Sequence, residues 1–173
     1  MIIEQLKNMV NLLIYIRNLK YLRFSFYNNY YKMKNIYGEK LQPCSLDGMA
    51  KTGYTRNGSC AVEGNDIGNH HICIDISSVD KEKGNFCNQT NQSDWCSKEM
   101  LCNNGNGKCS VQNWCICQWA FADYIENAGG CDKINNIHCK STNMEALIAY
   151  QSNSSDPKIK NALNCLMKKC KMK

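Results

Sequence analysis

Thirteen cysteines in 173 residues set the terms on which this chain folds, and all of them lie between Cys44 and Cys170. That is more thiol than a reduced domain of this size ordinarily keeps, so covalent or metal cross-linking is the first expectation. The step at Cys44 also marks a compositional boundary, because the first 43 residues contain no cysteine. Thirteen is odd, so at least one cysteine stays unpaired or pairs between chains.

The stretch that most needs cross-links is 84–113, rich in Asn, Gly, Ser and Gln, with four cysteines and no hydrophobic period. Such a segment cannot bury enough apolar area to offset its own ordering entropy. Disulfides are the expected answer. Zinc usually takes its thiolates in C-x2-C or C-x4-C pairs. Here the gaps from Cys87 are 8, 5, 6, 5 and 1 intervening residues, and no C-x-x-C occurs. Cys115-x-Cys117 and His138-Cys139 are the two weak ligand pairs, and mostly reduced structural thiols are the third option. No metal or cofactor is expected.

The remaining composition is ordinary, with 43% hydrophobic and 21% charged residues. The formal net charge of +6 comes from dispersed lysines and arginines that gather only over Arg17–Lys34 and Lys158–Lys173. A nucleic-acid binder would show a basic face interleaved with aromatics inside the folded block, so no nucleic-acid partner is expected. In the first 32 residues the apolar run Met9–Ile16 is interrupted by Asn11 and closed by Arg17. It is too short for a membrane span and lacks the cleavage pattern of a signal peptide. Ile2, Leu6, Met9, Leu13 and Ile16 recur at helical spacing, so an amphipathic helix is expected if this segment is structured.

Local patterns predict short elements of both kinds. Residues 41–60 read as turns, with Asn57-Gly58 a tight-turn dipeptide. Ile72–Ile76 alternates as a half-buried strand should. Residues 78–83 are a polar connection. Trp114–Ala128, stopped by Gly129-Gly130, is the best helix, and Ile134–Lys140 a second strand. Thr142 with Glu145 forms a capping box for a helix over Met144–Tyr150. Asp156-Pro157 opens a last helix whose Ile159, Leu163, Leu166, Met167 and Cys170 make one stripe. Strands and helices are mixed without a βαβ repeat. The expected class is α+β, a single small domain with short strands, a Cys-rich irregular loop and two or three helices.

One loop–strand unit carries chemistry. A nucleophilic cysteine needs a base or cation beside it, and Cys73, His70 and Asp66 lie close together in sequence. Arg56, in a Gly-rich loop, is suited to clamp a carboxylate or phosphate, or to pair with Asp66. Cys115 is a second candidate nucleophile, and Cys115 with Cys117 a candidate redox couple. The structural alternative is that Asp66 caps a turn, Gly68 supplies unusual backbone angles and His70 makes one structural hydrogen bond. Trp114 and Trp119 are expected as helical core residues, with Trp95 a further core candidate.

The motifs Asn35-x-x-Gly38, Pro43-Cys44-Ser45, Thr52-Gly53-Tyr54-x-Arg56-x-Gly58-x-Cys60, Asp66-x-Gly68-x-His70-x-x-Cys73 and Trp114-Cys115-x-Cys117, in this order, resemble the bacterial and viral domain-of-unknown-function family 2237. The resemblance covers about residues 33–150 and implies no activity. It makes Met33 look like the natural start of a domain spanning 33–155, with 1–32 an extension and 156–173 an added amphipathic helix. It also divides the cysteines. Cys44, Cys60, Cys73, Cys115 and Cys117 fall on the family's motifs. Cys87, Cys96, Cys102, Cys109, Cys131, Cys139, Cys165 and Cys170 do not, and these eight are the disulfide candidates. The Cys-rich 86–109 stands where the family pattern is Pro-rich, and Thr142-Asn143 where it reads Thr-His.

Together these readings predict a small disulfide-stabilised domain serving in binding or structure, in an oxidising setting, extracellular or virion. The alternative is a small enzyme with a Cys/His/Asp site around Asp66–Cys73 and Trp114–Cys117. The expected partner, if any, is a second copy, through association or an intermolecular disulfide.

Overall fold

The computed structural model describes residues 32–77 and 84–172; residues 1–31, on which the expected amphipathic helix falls, and the polar connection 78–83 lie outside the described residues. At the centre are two antiparallel strands, β1 (Ile72–Asp75) and β4 (Asn113–Ile116), in the register Ile72↔Ile116, Cys73↔Cys115, Ile74↔Trp114 and Asp75↔Asn113. Side chains alternate across a strand, so Ile72, Ile74, Trp114 and Ile116 share one face and Cys73 and Cys115 the other. The strand was expected to be half-buried. Both faces are in fact covered, because the loop 41–61 lies over the cysteine face.

Trp114–Ile116 is therefore strand, not the start of a helix. The helix α2 begins later, at Gln118–Ala128, and ends where Gly129 turns left-handed at φ 86°. The Gly130 amide then reaches Ile125 O at 2.8 Å, which satisfies a carbonyl at the helix end. Ile134–Lys140 is not a strand either. It touches β1 through a single bridge, Ile74↔Ile137, and closes into a 3-10 turn at Cys139–Ser141.

The cap of α3 (Met144–Ser152) is Asn143, whose side chain accepts from the Glu145 amide at 3.0 Å. Thr142, the expected cap, is used elsewhere: its hydroxyl accepts from the Cys73 amide and donates to His138 O, each at 3.1 Å. The last helix, α4 (Pro157–Lys169), starts at Asp156 as its sequence predicts and buries Ile159, Ala162, Cys165 and Leu166 against α2 and α3.

The Cys-rich segment holds one turn of helix, α1 (Phe86–Gln89), with Asn85 and Asn88 capping each other. It also holds a small polar hairpin, β2 (Glu99–Leu101) and β3 (Lys108–Ser110). Among the described residues, four helices and two small sheets make the domain α+β.

All thirteen cysteines are described, and twelve pair: Cys44–Cys73, Cys60–Cys115, Cys87–Cys96, Cys102–Cys109, Cys131–Cys165 and Cys139–Cys170. Cys117, half-buried, is the free one. The eight cysteines outside the family motifs join one another, and four of the five within the motifs do the same. Among the described residues no helix is long and apolar enough to cross a membrane.

Candidate functional site

Arg56 is presented by a loop whose shape depends on small residues. Gly53 has φ 94°, and a Cβ there would lie 2.6 Å from Ser59 O, so no side chain fits. Arg56 itself is left-handed at φ 54°, a conformation uncommon outside glycine and worth a functional question. Its Nη1 donates to Gly53 O at 2.9 Å, and the guanidinium carbon sits 4.9 Å from the centre of the Trp114 ring. The cation is thus held over an aromatic face with further N–H groups to offer.

Asp66 does not pair with Arg56. Its buried carboxylate accepts from the His70 amide at 2.7 Å and meets His70 Nδ1 at 2.7 Å, so one carboxylate fixes both ends of residue 70. With Nδ1 occupied, Nε2 is the ring nitrogen left for a ligand. The role of Gly68 is also not the one expected. It has no unusual φ. Instead, a Cβ at that position would lie 2.6 Å from His70 Cε1, so glycine makes room for the imidazole. Tyr54 stacks on the same ring at 6.1 Å.

A residue without an obvious signal secures this loop. Gln118 at the start of α2 is buried; its amide donates to Asn69 O at 3.1 Å, and its side chain meets His71 Nδ1 at 3.0 Å. Both neighbours of His70 are thereby anchored, and the Tyr150 hydroxyl donates to Gln118 O from behind. His71 is buried, with Nε2 unpartnered, and burial lowers its pKa below the usual imidazole value. It is a neutral structural residue, distinct from its neighbour.

Arg56 and His70 line one cavity of about 490 Å³ with Gly53, Tyr54, Gln92, Trp95, Met100, Trp114 and Cys115. Trp95 packs at 5.4 Å from Trp114 and 6.1 Å from Phe86, so one wall is aromatic. Gln92, Trp95 and Met100 come from the unperiodic segment, where no pattern marked them as site residues. A groove of about 430 Å³ between α2 and α4 is comparable in size. Its lysines, Lys158 and Lys168, already pair with Asp123 and Asp132.

The two candidate nucleophiles have no thiol to ionise in this state. Cys73 is joined to Cys44, and Cys115 to Cys60 rather than to Cys117. Cys115, which lines the cavity, therefore offers it no thiol. What converges is a guanidinium, a carboxylate-oriented imidazole and two indoles. This arrangement can receive an anion with a flat or apolar body and can hold or move a proton at His70 Nε2.

Comparison with curated proteins finds no match. A family model matches residues 34–154, described as an uncharacterized protein conserved in bacteria. The matched span takes in the Arg56 loop, the Asp66–His70 pair, both central strands and α3, and stops before α4. Since the match covers more than half of the chain, the protein belongs to the family DUF2237.

Proposed function

We propose that this domain is a binding module whose cavity takes a carboxylate or phosphate group carried on an aromatic or other flat apolar body. The observation that carries the reading is the guanidinium of Arg56 over the Trp114 ring, in the same cavity as His70. Arginine's planar fork suits a bidentate oxyanion, and being held in place before binding lowers the entropy lost on capture. The indoles of Trp95 and Trp114 supply stacking area. Six disulfides fit an oxidising environment, and we place the domain in an extracellular or virion setting on that ground.

A test is calorimetric titration of the oxidised chain with phenyl phosphate, benzoate, inorganic phosphate and neutral benzamide. The aromatic anions should bind and benzamide should not. Arg56→Gln should weaken binding roughly tenfold to a hundredfold, matching the about 1.5–3 kcal/mol of a charge-assisted hydrogen bond. Equal binding of benzamide, or no change in Arg56→Gln, contradicts the reading.

The 2.7 Å contact between Asp66 and His70 favours a second reading, an enzyme that uses His70 Nε2 as a base oriented by Asp66. It differs from the first in requiring turnover. A bound aromatic ester or phosphoester consumed by the native chain but not by His70→Gln would favour it over simple binding.

A further inference from the structure

Beneath the Arg56 loop lies a cluster that the binding reading does not use. Cys44, Cys60, Cys73 and Cys115 form a buried group of their own, each at most 2% exposed. Two come from the paired strands, where Cys73 and Cys115 are directly opposite. Two come from the loop above, whose ends are joined by the Cys44 amide donating to Gly58 O at 2.8 Å. The Sγ atoms of Cys44, Cys60 and Cys115 all lie within 4.8 Å of one another, and that of Cys73 is bonded to that of Cys44. Among the described residues this is the one set of three or more metal-type ligands gathered so closely.

We propose that, when the Cys44–Cys73 and Cys60–Cys115 disulfides are open, these four cysteines form a tetrathiolate site for zinc. The geometry is near what the metal needs. A tetrahedral site with zinc–sulfur bonds of ~2.3 Å has sulfur–sulfur edges of about 3.8 Å. The Cys44 sulfur would close on those of Cys60 and Cys115 by about 1 Å at most, while the bonded pairs Cys44–Cys73 and Cys60–Cys115 would spread to the same edge. The backbone hydrogen bonds that bring the four residues together involve no sulfur. The Cys115 amide donates to Thr52 Oγ1, the Cys73 amide to Thr142 Oγ1 and the His138 amide to Cys73 O. These hydrogen bonds do not themselves require oxidised sulfur.

The chemistry balances. A dithiol reductant passes two electrons and two protons to each disulfide, becoming a disulfide itself and leaving four thiols. Zinc then displaces four protons as four thiolates bind it. Buried thiolates without a metal would be strongly disfavoured, so uptake and ionisation go together. Metal and disulfides would cross-link the same loop to the same strands, one before oxidation and the other after it. A chain made in a reducing compartment could in this way hold the Arg56 loop in place before its disulfides close. The spacing hides this site, because no two of the four residues lie close together in sequence. The inference is independent of what the cavity above binds.

The experiment is an anaerobic titration of the full chain, reduced with a phosphine, using cobalt(II) as the probe and zinc as competitor. One cobalt per chain should enter with the d–d bands of a tetrahedral site and the charge-transfer intensity of four thiolates, and zinc should displace it. Cys44→Ser and Cys60→Ser should each lose the four-thiolate spectrum. The double variant Cys87→Ser with Cys96→Ser, which touches a separate disulfide, should keep it. A reduced chain that takes up no metal overturns the proposal. So does uptake that survives both core substitutions, or that disappears in the Cys87/Cys96 variant.

Discussion

The loop side of this molecule, where residues 41–61 cover β1 and β4, and the helical side, where α4 packs on α2 and α3, each carry two long-range disulfides. Their use of these bonds differs. On the helical side the backbone satisfies itself, and α4 has an apolar stripe, an N-cap at Asp156 and Pro157 in its first turn. There Cys131–Cys165 and Cys139–Cys170 fasten an element that its own pattern already directs. On the loop side there is almost no regular structure to fasten. Buried side chains stand in for a ladder: Ser45 Oγ accepts from the Thr52 amide at 3.2 Å, and Thr52 Oγ1 accepts from the Cys115 amide at 2.8 Å. Cross-links there hold the shape of the chain, and the cavity rests on that shape.

The sharpest way to break this comparison is to delete one disulfide from each side. In the chain-entropy picture Cys60–Cys115, spanning 55 residues, contributes about 4 kcal/mol, and Cys131–Cys165, spanning 34, only slightly less. Entropy alone therefore predicts nearly equal losses. We expect Cys60→Ala with Cys115→Ala to cost clearly more in urea denaturation and to abolish ligand binding at the cavity. Cys131→Ala with Cys165→Ala should leave binding intact. Equal losses with binding preserved in both would show that the loop holds itself.

A smaller change tests the side-chain ladder. Thr52→Val keeps the volume but removes the acceptor of a buried amide, so it should cost about 1–3 kcal/mol in the same assay. Its counterpart on the helical side, Asp156→Ala, removes an exposed cap and should cost about 1 kcal/mol. A Thr52 variant less damaging than the cap variant would count against the role assigned to the loop hydroxyls.

The mildest effect is one of pH. Burial lowers the pKa of His71 and of His138 below the ordinary 6.5, so between the folded and unfolded values the unfolded chain binds more protons. The stability these two residues confer is complete above pH 6.5 and is lost as pH falls through 6.5 towards their folded values. Chemical denaturation across that interval should show the loss, and His71→Gln should reduce it. An unchanged pH dependence in that variant would remove His71 from the account.

How far the sequence could be read depended on where each element found its partner. The start of α4 and the end of α2 are marked by residues acting locally, Asp156-Pro157 and Gly129-Gly130, and both are where the pattern puts them. Trp114–Ile116 misled because its partner, β1, lies some forty residues earlier, and only that pairing turns an apolar run into strand. Thr142 and Asn143 are both good caps; the Cys73 amide, far away in sequence, draws Thr142 off. In the site, Asp66, Gly68, His70 and Arg56 stand out because they lie at short spacings in Gly-containing turns. Gln92, Trp95 and Met100 reach the cavity from a segment with no period, and Gln118 acts through contacts that no spacing encodes. The cysteine count indicated cross-links, but connectivity is a property of the fold.

Peptide mapping of the native chain, alkylated under denaturing and non-reducing conditions, is the most direct test. The account predicts a single alkylated cysteine, Cys117, together with linked peptides joining Cys44 to Cys73 and Cys60 to Cys115. Alkylation of Cys73 or Cys115 would contradict it. A free Cys115, which lines the cavity with His70 and Arg56, would make nucleophilic chemistry the leading reading there.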